Sequence, residues 1–193
     1  VMTKVTADEK KAVVVEVNAE TDFVAKNEKF QNYVSDVAEQ ALNTSAADID
    51  AFLAEKWAKD PSLTVAEALS SQISIIGENM NIRRFEQVEE ADGFVASYIH
   101  GGGKIGVLVD VVTDVVNDAI KEMAKNVAMQ AAAMAPVSID KTDCDLKVIE
   151  HERMIGREQA RQEGKPEAML DKIAEGKVNK FLNENTLLNQ ALV

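Results

Sequence analysis

The sequence has one cysteine, three prolines and two histidines in 193 residues, and only 5% of its side chains are aromatic. A lone Cys144 excludes an intrachain disulfide and makes a reducing compartment the default expectation. With so few rings, Val, Ile, Leu, Ala and Met must fill the interior. No basic segment followed by an apolar stretch opens the chain, so no signal peptide is expected. The most apolar run, 127–137, is interrupted by Gln130 and Pro136 and falls far short of the ~20 residues that a membrane span needs. The expectation is a cytoplasmic protein without membrane contact. Val1 and the apolar run over 187–193 are read as the cut ends of a longer protein.

Positive charge is also scarce. Lys and Arg number 21 against 33 Asp and Glu, for a formal charge of −12, and residues 1–96 carry −9 of it. Binding to phosphates requires clustered cations that release counterions, so this balance argues against a surface that wraps nucleic acid. Hydrophobic residues at 46% and charged residues at 28% are the proportions of a globular chain, long enough for one domain or two small ones.

Signatures of covalent chemistry are missing. His100 and His151 fall in different elements and neither neighbours the cysteine; no Gly-x-Ser-x-Gly turn, Cys-x-x-Cys or His-x-x-x-His occurs. Gly101-Gly102-Gly103-Lys104 is followed by Ile105 and a β-period rather than by Ser or Thr and a helix, so a flexible hairpin tip is favoured over a phosphate loop. The tip leaves backbone open to close approach, with His100 at its edge. A small-molecule enzyme using His100 would need a deep, partly apolar pocket there.

The patterns that are present indicate an α+β fold. Val13, Val15 and Val17 alternate with Val14 and Glu16, which predicts a hairpin around 8–11 with its odd-numbered side buried. A helical period follows in Phe30, Tyr33, Val34, Val37, Ala38, Ala41 and Leu42, with Asn27 as its cap. A second helix is expected over 47–58, burying Ile49, Phe52, Leu53 and Trp57. Thr64 and Glu67 form a capping box for a third helix that runs through Ile76 and ends at Gly77. Strands are expected over 82–89, 94–100 and 105–112, then a helix over 118–134 stopped by Pro136. The expected architecture is a mostly antiparallel sheet with helices packed on one side. From Lys141 the charge becomes densely mixed, and two helices over 145–163 and 166–184 are expected around Gly164-Lys165-Pro166. Leu170, Ile173, Ala174, Val178, Phe181 and Leu182 give the second of these one narrow stripe, which reads as a projecting antiparallel coiled coil.

Thr21-Asp22-Phe23-Val24 stands between a strand and a helix. The pattern alone favours a hydrophobic staple, with Phe23 or Val24 folded back near Phe30, over an exposed aromatic anchor of the kind that dominates interfaces.

The run from Val15 through Thr21-Asp22-Phe23-Val24 to Asn27, and the run Ile76-Gly77-Glu78-Asn79-Met80-Asn81-Ile82-Arg83-Arg84, closely resemble the translation elongation factor Ts family. Tyr98-x-His100-Gly101 and the Gly164-Lys165-Pro166 helical hairpin match it in order and spacing, so the resemblance covers essentially the whole chain. It implies two α+β subdomains and a protruding coiled-coil hairpin: residues 1–140 as the N-terminal core subdomain, and 141–193 as part of the C-terminal one with the hairpin about 145–184. An N-terminal three-helix module of the ubiquitin-associated type and a further C-terminal segment would lie outside this sequence. The resemblance further implies a guanine nucleotide exchange factor for elongation factor Tu, not an enzyme, with no cofactor, no metal and no direct nucleic-acid contact. Thr21, Asp22, Phe23 and Val24 would displace Mg²⁺ from the GTPase, with Phe23 as a wedge between its helices and Asp22 assisting by polar contact. Ile76, Gly77 and His100 would be further partner contacts. A non-catalytic scaffold acting through the coiled coil is the alternative, and the sequence leaves the oligomeric state open.

Overall fold

The computed structural model describes residues 1–193. The chain falls into two compact units, Val1–Met129 and Gln130–Val193.

In the first unit, β1 (Met2–Val5) and β2 (Lys11–Ala19) form the hairpin expected from the valine alternation, and β5 (Met80–Glu89) pairs antiparallel on the far side of β2. Val13, Val15 and Val17 are buried as the alternation requires. They meet α2 (Glu28–Asn43), whose Phe30, Tyr33, Val34, Val37, Ala38, Ala41 and Leu42 are buried in the same core. Asn27 caps α2 by accepting from the Lys29 and Phe30 amides. A bulge between Glu16 and Val17 brings Arg83 and Arg84 together over the Glu16 carboxylate, each 3.3 Å away. β6 (Gly93–His100) and β7 (Ile105–Val112) pair only with each other and pack on the opposite face of the three-stranded sheet. The Val95 amide bonds the Glu9 carbonyl at 2.8 Å, and the Gly106 backbone lies beside Val14. The expected antiparallel α+β pattern is thus present as small antiparallel sheets with helices.

A correction concerns 47–58. The helix there is confined to α3 (Ile49–Ala54), and the chain continues as β3 (Lys56–Trp57) paired antiparallel with β4 (Asp60–Thr64). Glu55 is extended, and its carboxylate is held by the Thr44 hydroxyl and by the Gln40 amide at 3.2 Å. Gln40 also donates to the Lys56 carbonyl and accepts from the Ala58 amide, which pins this turn to α2. Trp57 is still buried, its ring tilted against Tyr33 at 5.9 Å. α4 (Val65–Ile76) has the expected capping box: Thr64 accepts from the Glu67 amide, and the Glu67 carboxylate accepts from the Thr64 amide at 2.7 Å. α5 (Asp118–Met134) agrees with its expected limits and spans the boundary between the units.

The second unit is built on α6 (Leu146–Gln162) and α7 (Leu170–Asn185), which pack together along much of their lengths. Leu170, Ala174, Val178 and Leu182 are the buried stripe of α7. On α6 the buried residues are Gly156 and Ala160, Val148 and Ile149 pack against the Val178 and Leu182 end of α7, and Leu146 is largely exposed. A Cβ on Gly156 would stand 3.3 Å from the Ala174 Cα, so the absence of a side chain sets how closely the helices approach. Arg153 bridges Glu150 and Glu175, Arg157 pairs with Asp171 at 2.6 Å, and Arg161 joins Glu158 and Glu167. These pairs are largely solvated and contribute little individually.

Candidate protein-interaction site

β2 ends at Ala19, and within three residues the chain enters the one-turn helix α1 (Asp22–Ala25). Thr21 caps it: its side-chain oxygen accepts from the Val24 amide at 3.4 Å, and its carbonyl accepts from the Ala25 amide at 3.1 Å. α2 begins immediately afterwards, so α1 is a stiff bend between two anchored elements. Successive residues of a helix point about 100° apart. Val24 turns inward and packs against the first core, whereas Phe23 is 89% exposed and Asp22 is also exposed. The staple therefore falls to Val24 alone. Leaving a benzyl group in water forfeits roughly 1.5–3 kcal/mol of burial, a cost without structural return inside this chain.

Gly77 closes α4 in the left-handed region, φ 84° and ψ 13°, with its amide bonded to the Ile73 carbonyl at 2.9 Å. The space beside its Cα is open, with no atom within 4 Å of where a Cβ would stand. Ile76 is half-buried against the core, and Ile75, one position earlier, is 61% exposed. Ile75 is not among the residues expected at this corner. The signal was the inward phase of Val65, Ala68, Leu69, Ile73 and Ile76, which leaves position 75 facing outward. The α1 and Gly77 corners are adjacent. The last rung of the β2/β5 ladder is Ala19 with Met80, and past it the Glu78 carboxylate accepts from the Thr21 amide at 3.1 Å and the Thr21 hydroxyl at 2.5 Å. Reciprocally, the Asn79 amide donates to Glu20 at 3.3 Å.

His100 is exposed at the end of β6, where its Nδ1 lies 3.0 Å from the Tyr98 hydroxyl across one face of the strand. Gly101, Gly102 and Gly103 all have positive φ and form the turn into β7. Beside this tip is an open cleft of about 300 Å³ bounded by Ala25, Phe30 and Gln31 on one side and Ile99, Gly102 and Gly103 on the other. Neither His100 nor any other acidic or basic side chain lines it. The pocket that a His100 enzyme would require is thus not formed around His100. No three His, Cys, Asp or Glu side chains are grouped to hold a metal ion, and no helix is long and apolar enough to cross a membrane.

These surface features can be set beside known proteins. The family model described as Elongation factor TS matches residues 20–193. Elongation factor Ts of Clostridium tetani (strain Massachusetts / E88) is 45% identical over 193 residues, covering 100% of this chain and 64% of the relative. The protein of the same name from Clostridium novyi (strain NT) is 43% identical, covering 100% and 63%, and that from Trichlorobacter lovleyi is 44% identical, covering 98% and 62%. The chain thus spans a little under two thirds of the length of these relatives. With the match running through the exposed Phe23 bend, the Gly77 corner and the helix pair, the chain belongs to the elongation factor Ts family.

Proposed function

We propose that this chain binds elongation factor Tu and promotes release of its GDP, with Phe23 as the wedge. The observation that carries this reading is an aromatic ring 89% exposed on a bend tied at both ends. An exchange factor makes and breaks no covalent bond. Coupling between two binding sites is reciprocal, so a surface that binds the GTPase best when its nucleotide site is distorted weakens GDP by the same factor. Mg²⁺ bridges phosphate oxygens and protein ligands, and displacing the helices that carry those ligands forfeits a large electrostatic contribution. A ring of roughly 150–250 Å² with two rotatable bonds suits that displacement, because little conformational freedom is lost when it inserts.

In this reading Thr21 caps the bend, Asp22 supplies a polar contact beside the ring and Val24 anchors the bend from below. Ile76 and Gly77 form a second contact, where the missing Cβ lets the partner approach closely, and His100 forms a third. We extend the proposal to the organisation of the chain: 1–140 as the N-terminal core subdomain, 141–193 as part of the C-terminal one, and α6–α7 as the projecting coiled-coil hairpin. The experiment is release of fluorescent GDP from purified elongation factor Tu with and without this chain. Acceleration supports the reading, and an unchanged rate overturns it. If capture of elongation factor Tu survives deletion of 145–184, the coiled coil is not the main interaction surface and the scaffold alternative is excluded.

A further inference from the structure

From the contacts at the end of the β2/β5 ladder we infer that Glu78 is a positioning residue that holds the Phe23 bend in register with the Gly77 corner. The inference rests on the exchange reading above and adds to it a residue that touches no partner group itself.

α1 has only four residues, and a helix of one turn has no stability of its own in water. Its orientation must come from outside. Phe23 contributes almost nothing, because its ring is exposed. Val24 fixes the bend from beneath by packing on the core, and Gln31 of α2 donates to the Ala25 carbonyl at its far end, 3.3 Å away, which leaves the Thr21 end to be held from the side. The lateral constraint is Glu78. Its two oxygens accept from both donors of Thr21, the backbone amide at 3.1 Å and the hydroxyl at 2.5 Å. With the hydroxyl proton directed to Glu78, the Thr21 oxygen keeps a lone pair for the Val24 amide, so one carboxylate fixes the rotor of the cap and hence the helix it starts. Hydrogen bonds to an ionised acceptor are about twice as strong as neutral ones, and Glu78 is only partly solvated. Glu78 also follows Gly77 directly, so the same side chain ties the two corners across the gap where backbone pairing has stopped.

Without that tie the bend samples orientations in which ring and glycine corner cannot engage one surface together. Apparent affinity then falls by the fraction of time spent in the competent arrangement.

The test uses the full chain with Glu78→Ala and Glu78→Gln, each also combined with Phe23→Ala. Two readouts are needed: hydrogen exchange of the Thr21 amide by NMR, and release of fluorescent GDP from elongation factor Tu. Expected in Glu78→Ala are faster exchange at Thr21, a melting temperature close to the parent, and GDP release slowed at least roughly fivefold at subsaturating factor. Glu78→Gln retains one acceptor oxygen and should fall between. In the Phe23→Ala background the Glu78 substitution should slow release no further, since it acts through the ring. Undiminished Thr21 protection in Glu78→Ala overturns the inference, as does slowing by the same factor in both backgrounds, or none in either. If the parent chain itself fails to accelerate GDP release, the exchange reading falls. The amide measurement then decides the Glu78 clamp by itself.

Discussion

Replacing Phe23 by Ala separates stability from partner binding. The ring is 89% exposed, so the folded chain covers about a tenth of its surface. At roughly 1.5–3 kcal/mol for complete burial of such a side chain, the fold draws only about 0.2–0.3 kcal/mol from it, a shift in melting temperature of about 1 °C. Seated between helices of a partner, the remaining surface is worth roughly 1.3–2.7 kcal/mol, which corresponds to a ten- to hundredfold loss in exchange rate when the ring is removed. The assay is stopped-flow release of fluorescent GDP from elongation factor Tu at subsaturating factor, with a circular-dichroism melt on the same preparation. Val24→Ala is the informative companion. Its side chain packs against the first core, so it should lower the melting temperature by several degrees. A Phe23→Ala variant that melts several degrees lower yet releases GDP at the parental rate would refute the wedge and restore the staple.

Three further outcomes follow from the geometry. Gly77→Ala places a side chain at φ 84°, where L-residues are disfavoured by about 1–2 kcal/mol. With no neighbour within 4 Å to clash, the whole penalty is conformational, so a melting temperature lower by a few degrees is expected by calorimetry. The Tyr33 hydroxyl is buried without a hydrogen-bond partner, and burial raises its pKa well above the ordinary value near 10. Tyr33→Phe should therefore stabilise the first unit by about 1 kcal/mol in urea titrations at pH 7. The stability linked to Tyr33 is fully present below pH 10 and is lost as pH rises further, because the unfolded chain ionises first; the Phe variant should show a flatter alkaline limb. Gly156→Val forces α6 away from Ala174 and should cost about 1–3 kcal/mol, read as an earlier loss of helical signal on heating.

Local pattern made much of this fold legible. The alternation of Val13, Val15 and Val17, the Asn27 cap and the Thr64–Glu67 capping box each have their cause within a few residues, and each is found as expected. Features whose cause lies far along the chain were not legible. Helical spacing in Ile49, Phe52 and Leu53 invites extension through Trp57, but the residues that hold Glu55 and Lys56 in an extended path lie elsewhere, Gln40 in α2 and Thr44 at its C-terminal cap. Likewise, nothing in β6 or β7 specifies that they pack on the sheet rather than join it. At the site, four residues are too few for periodicity to assign an inward side, so pattern alone leaves Phe23 and Val24 interchangeable, and packing against the core selects Val24. Glu78 was invisible for the same reason as Glu55: its partner Thr21 lies 57 residues away.

The placement of the bend at the end of β2 explains how a ring can be exposed and still be held firmly. An aromatic side chain in solvent and a residue in the left-handed region are both costly, and a chain under selection for stability alone would avoid each. Here both occur at the same end of the β2/β5 pair, immediately past the rung formed by Ala19 and Met80. Backbone pairing on one side makes the two chain segments rigid, and the carboxylates of Glu20 and Glu78 carry that rigidity two residues further by bonding backbone amides across the gap. A longer ladder would leave no free bend, and a shorter one would leave the bend without a stiff base. The ring is thus presented beside the longest strand pair of the first unit, so the cost of ordering it for any partner is met during folding.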